Sequence, residues 1–225
     1  MVKVIKEKFV VIGKEGSTLD GEGFIQKLWD DANSHFSEVA HLAKKDANGG
    51  IVGTGDIGSH FARLCKNVGM TTIGIRRNPA VEAPGVDHIV GFESLDDVLQ
   101  YADVIAMCVP STSTTYHLLN AERIASLKPD AIIINAGRGN AIESQALADA
   151  LAEGRIRGAA LDVTEPEPLP ANSPLWCEPK CLITPHVAGG NHLEITERSI
   201  ISIALGNVRC YANGQSLDNR MPIKS

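Results

Sequence analysis

The sequence has no long apolar run and no excess of basic residues, and these two absences narrow its function. No stretch approaches the ~20 consecutive apolar residues that a membrane-spanning helix needs, so no membrane partner is expected. The formal net charge is −6, whereas proteins that bind nucleic acids are usually basic. We therefore expect neither DNA nor RNA as a partner.

Cysteine is also scarce, and the sequence has no internal repeat. The five cysteines are odd in number, and no histidine–cysteine pair lies near Cys177 and Cys181 at metal-ligand spacing. All five are therefore predicted to be reduced thiols, and no metal site is expected. The opening segment MVKVIKEKFVVIG carries charges inside its apolar run, which is not typical of a signal peptide, so the cytoplasm is the expected compartment.

From residue 51 onward, short apolar runs alternate with amphipathic helical patterns. Runs such as TTIGI, VIAMCV and AIIINA are mostly apolar and do not alternate with polar residues, which is typical of strands buried on both faces of a parallel sheet. The alternation predicts an α/β fold with a doubly wound parallel sheet, a Rossmann-like nucleotide-binding domain over residues 51–190. A C-terminal helix and tail are predicted over residues 191–225. Ligands of such sheets bind beyond the carboxyl ends of the strands.

The segment GTGDIG contains the pattern G-x-G-x-x-G between a predicted strand and a predicted helix. In this pattern the first glycine allows a tight turn, the second lets the backbone approach a pyrophosphate, and the third lets helix and strand pack closely. A purely structural glycine-rich turn is the alternative. The motif and the end of a later strand predict the dinucleotide contacts Gly53, Gly55, Asp56, Ile57, Gly58 and Pro110.

Two arginines end the second predicted strand, in GIRRNP. NAD enzymes place an acidic residue about 20 positions after the glycine motif, where it binds the ribose hydroxyls. Arg76 and Arg77 stand there instead, and two guanidinium groups can pair with a 2′-phosphate. This predicts NADP as the preferred cofactor, with NAD as the second choice. The alternative is that both arginines are solvated surface residues.

Three more segments place polar side chains at neighbouring strand ends. Arg138 follows one strand in INAGRGNAIE, and His186 follows another in CLITPHVAGG. Between them, LDVTEPEPLP places Asp162, Glu165 and Glu167 in a proline-rich loop that cannot be helical. An arginine, a carboxylate and a histidine are therefore expected on the ligand side of one sheet.

Residues 51 to about 220 resemble the D-isomer-specific 2-hydroxyacid dehydrogenases, which include glyoxylate and hydroxypyruvate reductases. The resemblance rests on GTGDIG, VPSTSTTYHLLNAE, LKPDAIIINAGRGNAIE, GAALDVTEPEPLP, SPLW and TPHVAGG, in this order. It implies an NAD(P)-dependent oxidoreductase that transfers a hydride between nicotinamide and a small 2-ketoacid or 2-hydroxyacid. The identity of that acid stays open.

The resemblance also implies a role for each polar residue. Arg138 would bind the substrate carboxylate, His186 would donate a proton, and Glu167 would hold the imidazole. Asp162 would bind the nicotinamide carboxamide, and Glu165 remains a rival for the acid. The remaining histidines are expected on the surface or in helices, at positions 35, 41, 60, 88, 117 and 192.

Residues 1–50 are predicted to form a strand–helix unit that is added to the sheet and is not an independent domain. From about residue 8 to residue 50 the sequence resembles the start of the gyrase-inhibitor-like (AraC-type) effector-binding proteins. This favours a chimera, natural or engineered, over a divergent but complete dehydrogenase. In the dehydrogenase family the substrate domain is built mostly from residues before the glycine motif, so we expect impaired activity.

Three functions therefore stay open at this point. The first is a 2-hydroxyacid dehydrogenase, and the second is a non-catalytic dinucleotide-binding module. The third is a small-molecule effector-binding protein, which is suggested only by the N-terminal stretch. A nucleotide domain that has lost partner surface would also tend to self-associate, so a homodimer is expected.

Overall fold

Seven short parallel strands form one sheet in a computed structural model that describes residues 46–189 and 194–217. The strands are β1 (Asn48–Val52), β2 (Thr71–Ile75), β3 (His88–Val90), β4 (Val104–Met107), β5 (Ile132–Asn135), β6 (Gly158–Leu161) and β7 (Cys181–Ile183). Their order across the sheet is β3-β2-β1-β4-β5-β6-β7. The predicted doubly wound parallel sheet is confirmed. The edge strand β3 was not predicted, because its three residues are too few to show a pattern.

Helices connect most of these strands, since parallel neighbours need a crossover connection. The helices are α1 (Asp56–Asn67), α2 (Leu95–Tyr101), α3 (Ala121–Ala125), α4 (Ser144–Ala152) and α5 (Glu194–Ala212). Helix α4 is built from SQALADALA, where alanine and leucine favour a helix and five of nine residues are buried. Within the described ranges, no helix has both the length and the apolar character needed to cross a membrane.

The core consists of aliphatic side chains from the central strands and the helices on both faces. Ile51, Ile105 and Ile133 are fully buried in neighbouring strands, and Leu147 of α4 is 1% exposed. Because the strands are buried on both faces, most of their residues are apolar. This burial explains why the apolar runs of the sequence do not alternate with polar residues.

The direction of chain winding reverses at β1. This strand pairs with β2 on one side, from Asn48 to Val52, and with β4 on the other. The connections after β1 and β4 therefore leave the sheet in opposite directions and open a crevice at its carboxyl edge.

The described chain divides into two compact units, the first ending at Ile183 and the second beginning at Thr184. The whole sheet belongs to the first unit, and α5 belongs to the second. The predicted strand and helix of residues 1–45 lie outside the described residues. Strand β1 begins at Asn48, just before the predicted start of the nucleotide-binding domain.

Asp87 ties three elements together next to the edge strand β3. Its carboxylate accepts hydrogen bonds from Lys66 Nζ at the end of α1 (2.6 Å) and from the Thr72 backbone N–H in β2 (3.0 Å). The Thr72 hydroxyl donates a further hydrogen bond to it at 3.0 Å. These donors, with Lys66 first, lower the pKa of Asp87 to about 2. The charged form is therefore favoured in the folded chain.

We predict that Asp87→Asn destabilises the fold at neutral pH by about 1 kcal/mol, because the variant loses the charge that Lys66 stabilises. The effect is no larger because the lysine side chain is 56% exposed and solvent screens the pair. A lowered folded-state pKa stabilises the fold above the ordinary carboxyl pKa, and this contribution is lost as pH falls towards about 2. The difference in urea midpoint between wild type and variant should therefore shrink between pH 5 and pH 2. A difference that does not change with pH would contradict this account.

Candidate functional site

The turn after β1 has the backbone geometry that a pyrophosphate site needs. Gly53 has a φ of +95°, and a Cβ there would lie 2.7 Å from the Cys108 carbonyl oxygen. A Cβ on Gly58 would overlap the Gly53 carbonyl, so this glycine lets α1 pack against β1. A Cβ on Gly55 would meet no heavy atom of the described residues within 4 Å. Of the three glycines, only Gly55 faces open space.

The open space at Gly55 lies at the first turn of α1, where helix N–H groups lack partners within the helix. Asp56 and Ile57 are exposed at the same turn, and Ile57 is 61% exposed. Negative groups are favoured at helix N-termini, and the missing Cβ leaves room for one to approach the backbone. The residues present therefore fit a dinucleotide pyrophosphate.

The two arginines after β2 differ in their surroundings. Arg76 Nη1 donates hydrogen bonds to the carbonyl oxygens of Val81 (3.0 Å) and Glu82 (3.1 Å). Arg77 is exposed, and its guanidinium makes no hydrogen bond or ion pair within the described ranges. Arg76 therefore shapes the loop after β2, whereas the guanidinium of Arg77 is available to an anion.

A buried asparagine shapes the loop that carries Arg138. Asn135 is 1% exposed at the end of β5; its Nδ2 donates to the Arg138 carbonyl (3.0 Å) and its Oδ1 accepts from the Gly137 N–H (3.1 Å). The Arg138 side chain is exposed, and its Nη1 donates to the Gly137 carbonyl at 2.7 Å. The role of Asn135 was not predicted from the sequence. A polar residue that ends the apolar run IIIN was the available signal.

The acidic loop after β6 packs directly on the arginine loop. A Cβ on Gly139 would overlap the Thr164 carbonyl, so the two backbones are in contact. The Ser144 hydroxyl donates to the Glu165 carbonyl at 2.7 Å and anchors the acidic loop to α4. An open cleft of about 330 Å³ lies between the loops and is lined by Ser111, Arg138, Gly139, Asn140, Thr164, Glu165, Pro166 and Glu167.

His117 contacts Glu165, one of the residues that line this cleft, and this contact was not predicted from the sequence. Its Nε2–H donates to Glu165 Oε2 at 3.0 Å, and its ring stacks on Tyr116 with centroids 4.0 Å apart. Its backbone N–H donates to the Asn140 carbonyl at 2.8 Å. His117 was expected to be an ordinary surface or helix residue, but it is half-buried and lies outside the helices. Its partner is 48 positions away, so no local pattern could have shown the pair.

The other predicted site residues follow three different strands. Pro110 is exposed after β4, where its carbonyl accepts from the Thr115 hydroxyl at 2.6 Å. Asp162 is half-buried after β6, and its N–H donates to the Asn135 carbonyl at 3.0 Å. His186 belongs to the second unit, where it is exposed and has a φ of +56°. Arg138, Glu165 and Glu167 are the predicted catalytic candidates that share one cleft.

The cysteines do not contribute to this cleft. All five are free thiols, and burial raises the pKa of Cys65 and of Cys108 to about 11. These two thiols are therefore protonated and unreactive at neutral pH.

Residues 46–189 and 194–217 contain no group of three His, Cys, Asp or Glu side chains that could hold a metal ion.

Comparisons with known proteins agree with this geometry. A model of the D-isomer specific 2-hydroxyacid dehydrogenase NAD binding domain matches residues 25–188. The glyoxylate reductase of Thermococcus onnurineus is 36% identical over 182 residues, which cover 77% of this chain and 53% of that protein. A glyoxylate/hydroxypyruvate reductase B of Escherichia fergusonii is 39% identical over 146 residues, covering 64% of this chain and 44% of that protein.

Solved structures give the same result. A D-isomer specific 2-hydroxyacid dehydrogenase family protein from Aeromonas salmonicida is 35% identical, with a TM-score of 0.71, over 90% of this chain and 66% of its own. A dehydrogenase from Xanthobacter autotrophicus, solved with NADPH and MES, is 30% identical, with a TM-score of 0.71, over 86% of this chain and 79% of its own. The chain spans about half the length of the curated relatives it matches.

The three glycines should respond differently to the same substitution. Gly58→Ala should destabilise the fold by more than about 2 kcal/mol, because its Cβ would overlap the Gly53 carbonyl. Gly55→Ala should leave the melting temperature unchanged, because no protein atom opposes it, but should weaken NADPH binding about tenfold or more. Thermal melts and fluorescence titrations measure the two effects. Unchanged NADPH affinity in Gly55→Ala would show that the open space is not the pyrophosphate site.

Proposed function

Because the chain belongs to the D-isomer specific 2-hydroxyacid dehydrogenase family through its NAD-binding domain, we propose that it serves NAD(P)-dependent reduction of a small 2-ketoacid. Glyoxylate and hydroxypyruvate are the substrates that the names of its relatives suggest. One observation carries the proposal. The cleft that contains Arg138, Glu165 and Glu167 and the open space at Gly55 both follow strands of one parallel sheet, at its carboxyl edge.

The proposed roles follow the chemistry of each side chain. A bound nicotinamide would exchange a hydride with the carbonyl carbon. Arg138 would bind the ketoacid carboxylate through its planar guanidinium, which matches a carboxylate in geometry and charge. His186 would donate the proton to the ketone oxygen, with Glu167 orienting the imidazole, and Asp162 would bind the carboxamide. The roles of His186 and Glu167 rest on the motifs TPH and EPEP.

A non-catalytic dinucleotide-binding module is the second candidate. The glycine turn alone would support it, because the turn needs neither the arginine loop nor the acidic loop. The cleft favours the reductase, since a module that only binds dinucleotide has no need for an exposed arginine beside two carboxylates. Effector binding was suggested only by residues before the glycine turn, most of which lie outside the described residues.

The chimeric origin of the N-terminal stretch stays a prediction. The match to the dehydrogenase model begins at residue 25, so it overlaps the stretch that resembles the effector-binding proteins.

Self-association of the chain also stays a prediction. Its support is a set of exposed apolar residues on α5, which are Ile200, Ile201, Ile203, Leu205, Val208 and Tyr211.

We propose that NADP(H) binds more tightly than NAD(H), and that Arg77 makes the contact with the 2′-phosphate. Arg77→Ala should weaken NADPH binding about tenfold and leave NADH binding nearly unchanged, because only NADPH carries the phosphate. Arg76→Ala should weaken both cofactors by a similar factor, because Arg76 holds the loop through Val81 and Glu82. Fluorescence titrations with both cofactors make the comparison. Tighter NADH binding by the wild type would refute the preference.

We expect this 225-residue chain to bind dinucleotide in the micromolar range and to reduce 2-ketoacids slowly. Positioning in a closed cleft can lower a barrier by ~7–11 kcal/mol, and the cleft of the described chain is open. The kcat/KM with glyoxylate or hydroxypyruvate should fall well below ~10⁴ M⁻¹s⁻¹. Arg138→Gln should abolish the residual rate while NADPH still binds. A rate that Arg138→Gln leaves intact would refute the proposed site.

A further inference from the structure

The charges that line the cleft at the ends of β5 and β6 are unfavourable for an anionic ligand. Of its eight lining residues, Arg138 is cationic, whereas Glu165 and Glu167 are acidic. A 2-ketoacid carries a carboxylate, so it would be attracted by one side chain and repelled by two. A group that donates a hydrogen bond to one of these carboxylates would stabilise its charge and weaken its repulsion of such an anion.

His117 is placed to donate such a hydrogen bond to one of the two acids, Glu165. Its Nε2–H donates to Glu165 Oε2 at 3.0 Å, while His117 is not among the residues that line the cleft. The imidazole therefore reaches the carboxylate without occupying the space for a ligand. Stacking on Tyr116 and the backbone hydrogen bond to Asn140 hold the ring in place.

Contacts other than this pair also hold the acidic loop. Thr164 packs against Gly139 through backbone contact, and the Ser144 hydroxyl holds the Glu165 carbonyl at 2.7 Å. The side chains of His117 and Glu165 are 32% and 34% exposed, and pairs that are this exposed contribute little to stability. What the pair fixes is therefore the direction of the Glu165 carboxylate and the hydrogen bond that this carboxylate accepts.

We propose that His117 is a positioning residue for substrate selection: by binding the Glu165 carboxylate it permits a small 2-ketocarboxylate to bind Arg138. The proposal deepens the proposed function and rests on it for the class of ligand. It also assigns different tasks to the two acids. Glu165 accepts the hydrogen bond from His117, while Glu167 remains the candidate partner of the catalytic histidine.

The test measures anion binding without turnover. Oxamate, a 2-ketoacid analogue that is not reduced, is titrated into the ¹⁵N-labelled full chain, and the side-chain Nε–H signal of Arg138 is followed by NMR. His117→Gln should weaken oxamate binding about three- to tenfold, because it leaves Glu165 without its partner. Glu165→Gln should bind oxamate at least as well as the wild type. The double variant should return to within about twofold of Glu165→Gln.

Control measurements distinguish an effect on the cleft from an effect on folding. His88→Gln changes an exposed histidine on the edge strand β3 and should leave oxamate binding unchanged. The melting temperature and the NADPH affinity of His117→Gln should stay close to those of the wild type. In a parallel turnover assay with hydroxypyruvate, the effect of His117→Gln should appear mainly in KM and much less in kcat.

Three results would overturn the proposal. These are a wild-type chain in which oxamate leaves the Arg138 signal unchanged, a His117→Gln variant with wild-type affinity, and a double variant as weak as His117→Gln. The last result would mean that the histidine acts through the shape of the loop. A chain that binds oxamate as expected and reduces no 2-ketoacid would refute the proposed reaction alone.

Discussion

Backbone-to-backbone contact at glycines holds together the edge of the sheet where the site lies. The loops after β1, β4, β5 and β6 approach one another more closely than side chains would permit. Each contact has a glycine on one side, at Gly53, Gly58, Gly137 or Gly139, and a carbonyl oxygen on the other. A Cβ at Gly53, Gly137 or Gly139 would push two loops apart, and a Cβ at Gly58 would push α1 away from the turn after β1. The arrangement of the polar groups would change in either case.

These contacts matter because the sheet brings the loops to one place. All seven strands are parallel, so every strand delivers its following loop to the same edge. The winding reverses between β1 and β4, which leaves a crevice for an extended ligand. The glycine turn belongs to one side of this reversal and the cleft that contains Arg138 belongs to the other. The glycine turn and this cleft therefore lie at the same carboxyl edge of the sheet.

Polar residues at this edge divide into exposed charged side chains and residues that hold the loops of those side chains. Asn135 is buried and holds the loop that carries Arg138, just as Arg76 holds the loop that carries Arg77. His117 stands in the same relation to Glu165. Asn135 and Arg76 are better buried than the arginines whose loops they hold, whereas the side chains of His117 and Glu165 are almost equally exposed, at 32% and 34%. A charged group can stay available to a ligand only when its loop is held by something else.

The sequence by itself determined the parallel sheet, the glycine turn and the residue types at the strand ends, because apolar runs and short motifs are local patterns. It also separated the roles of Gly53, Gly55 and Gly58, since those roles follow from one turn. The tertiary structure alone decided that Arg76 binds carbonyl oxygens, that Asn135 anchors the arginine loop and that His117 pairs with Glu165. Strand β3 and the His117–Glu165 pair escaped prediction for related reasons. The strand is too short to show a period, and the pair joins residues 48 positions apart that only the folded sheet brings into hydrogen-bonding distance.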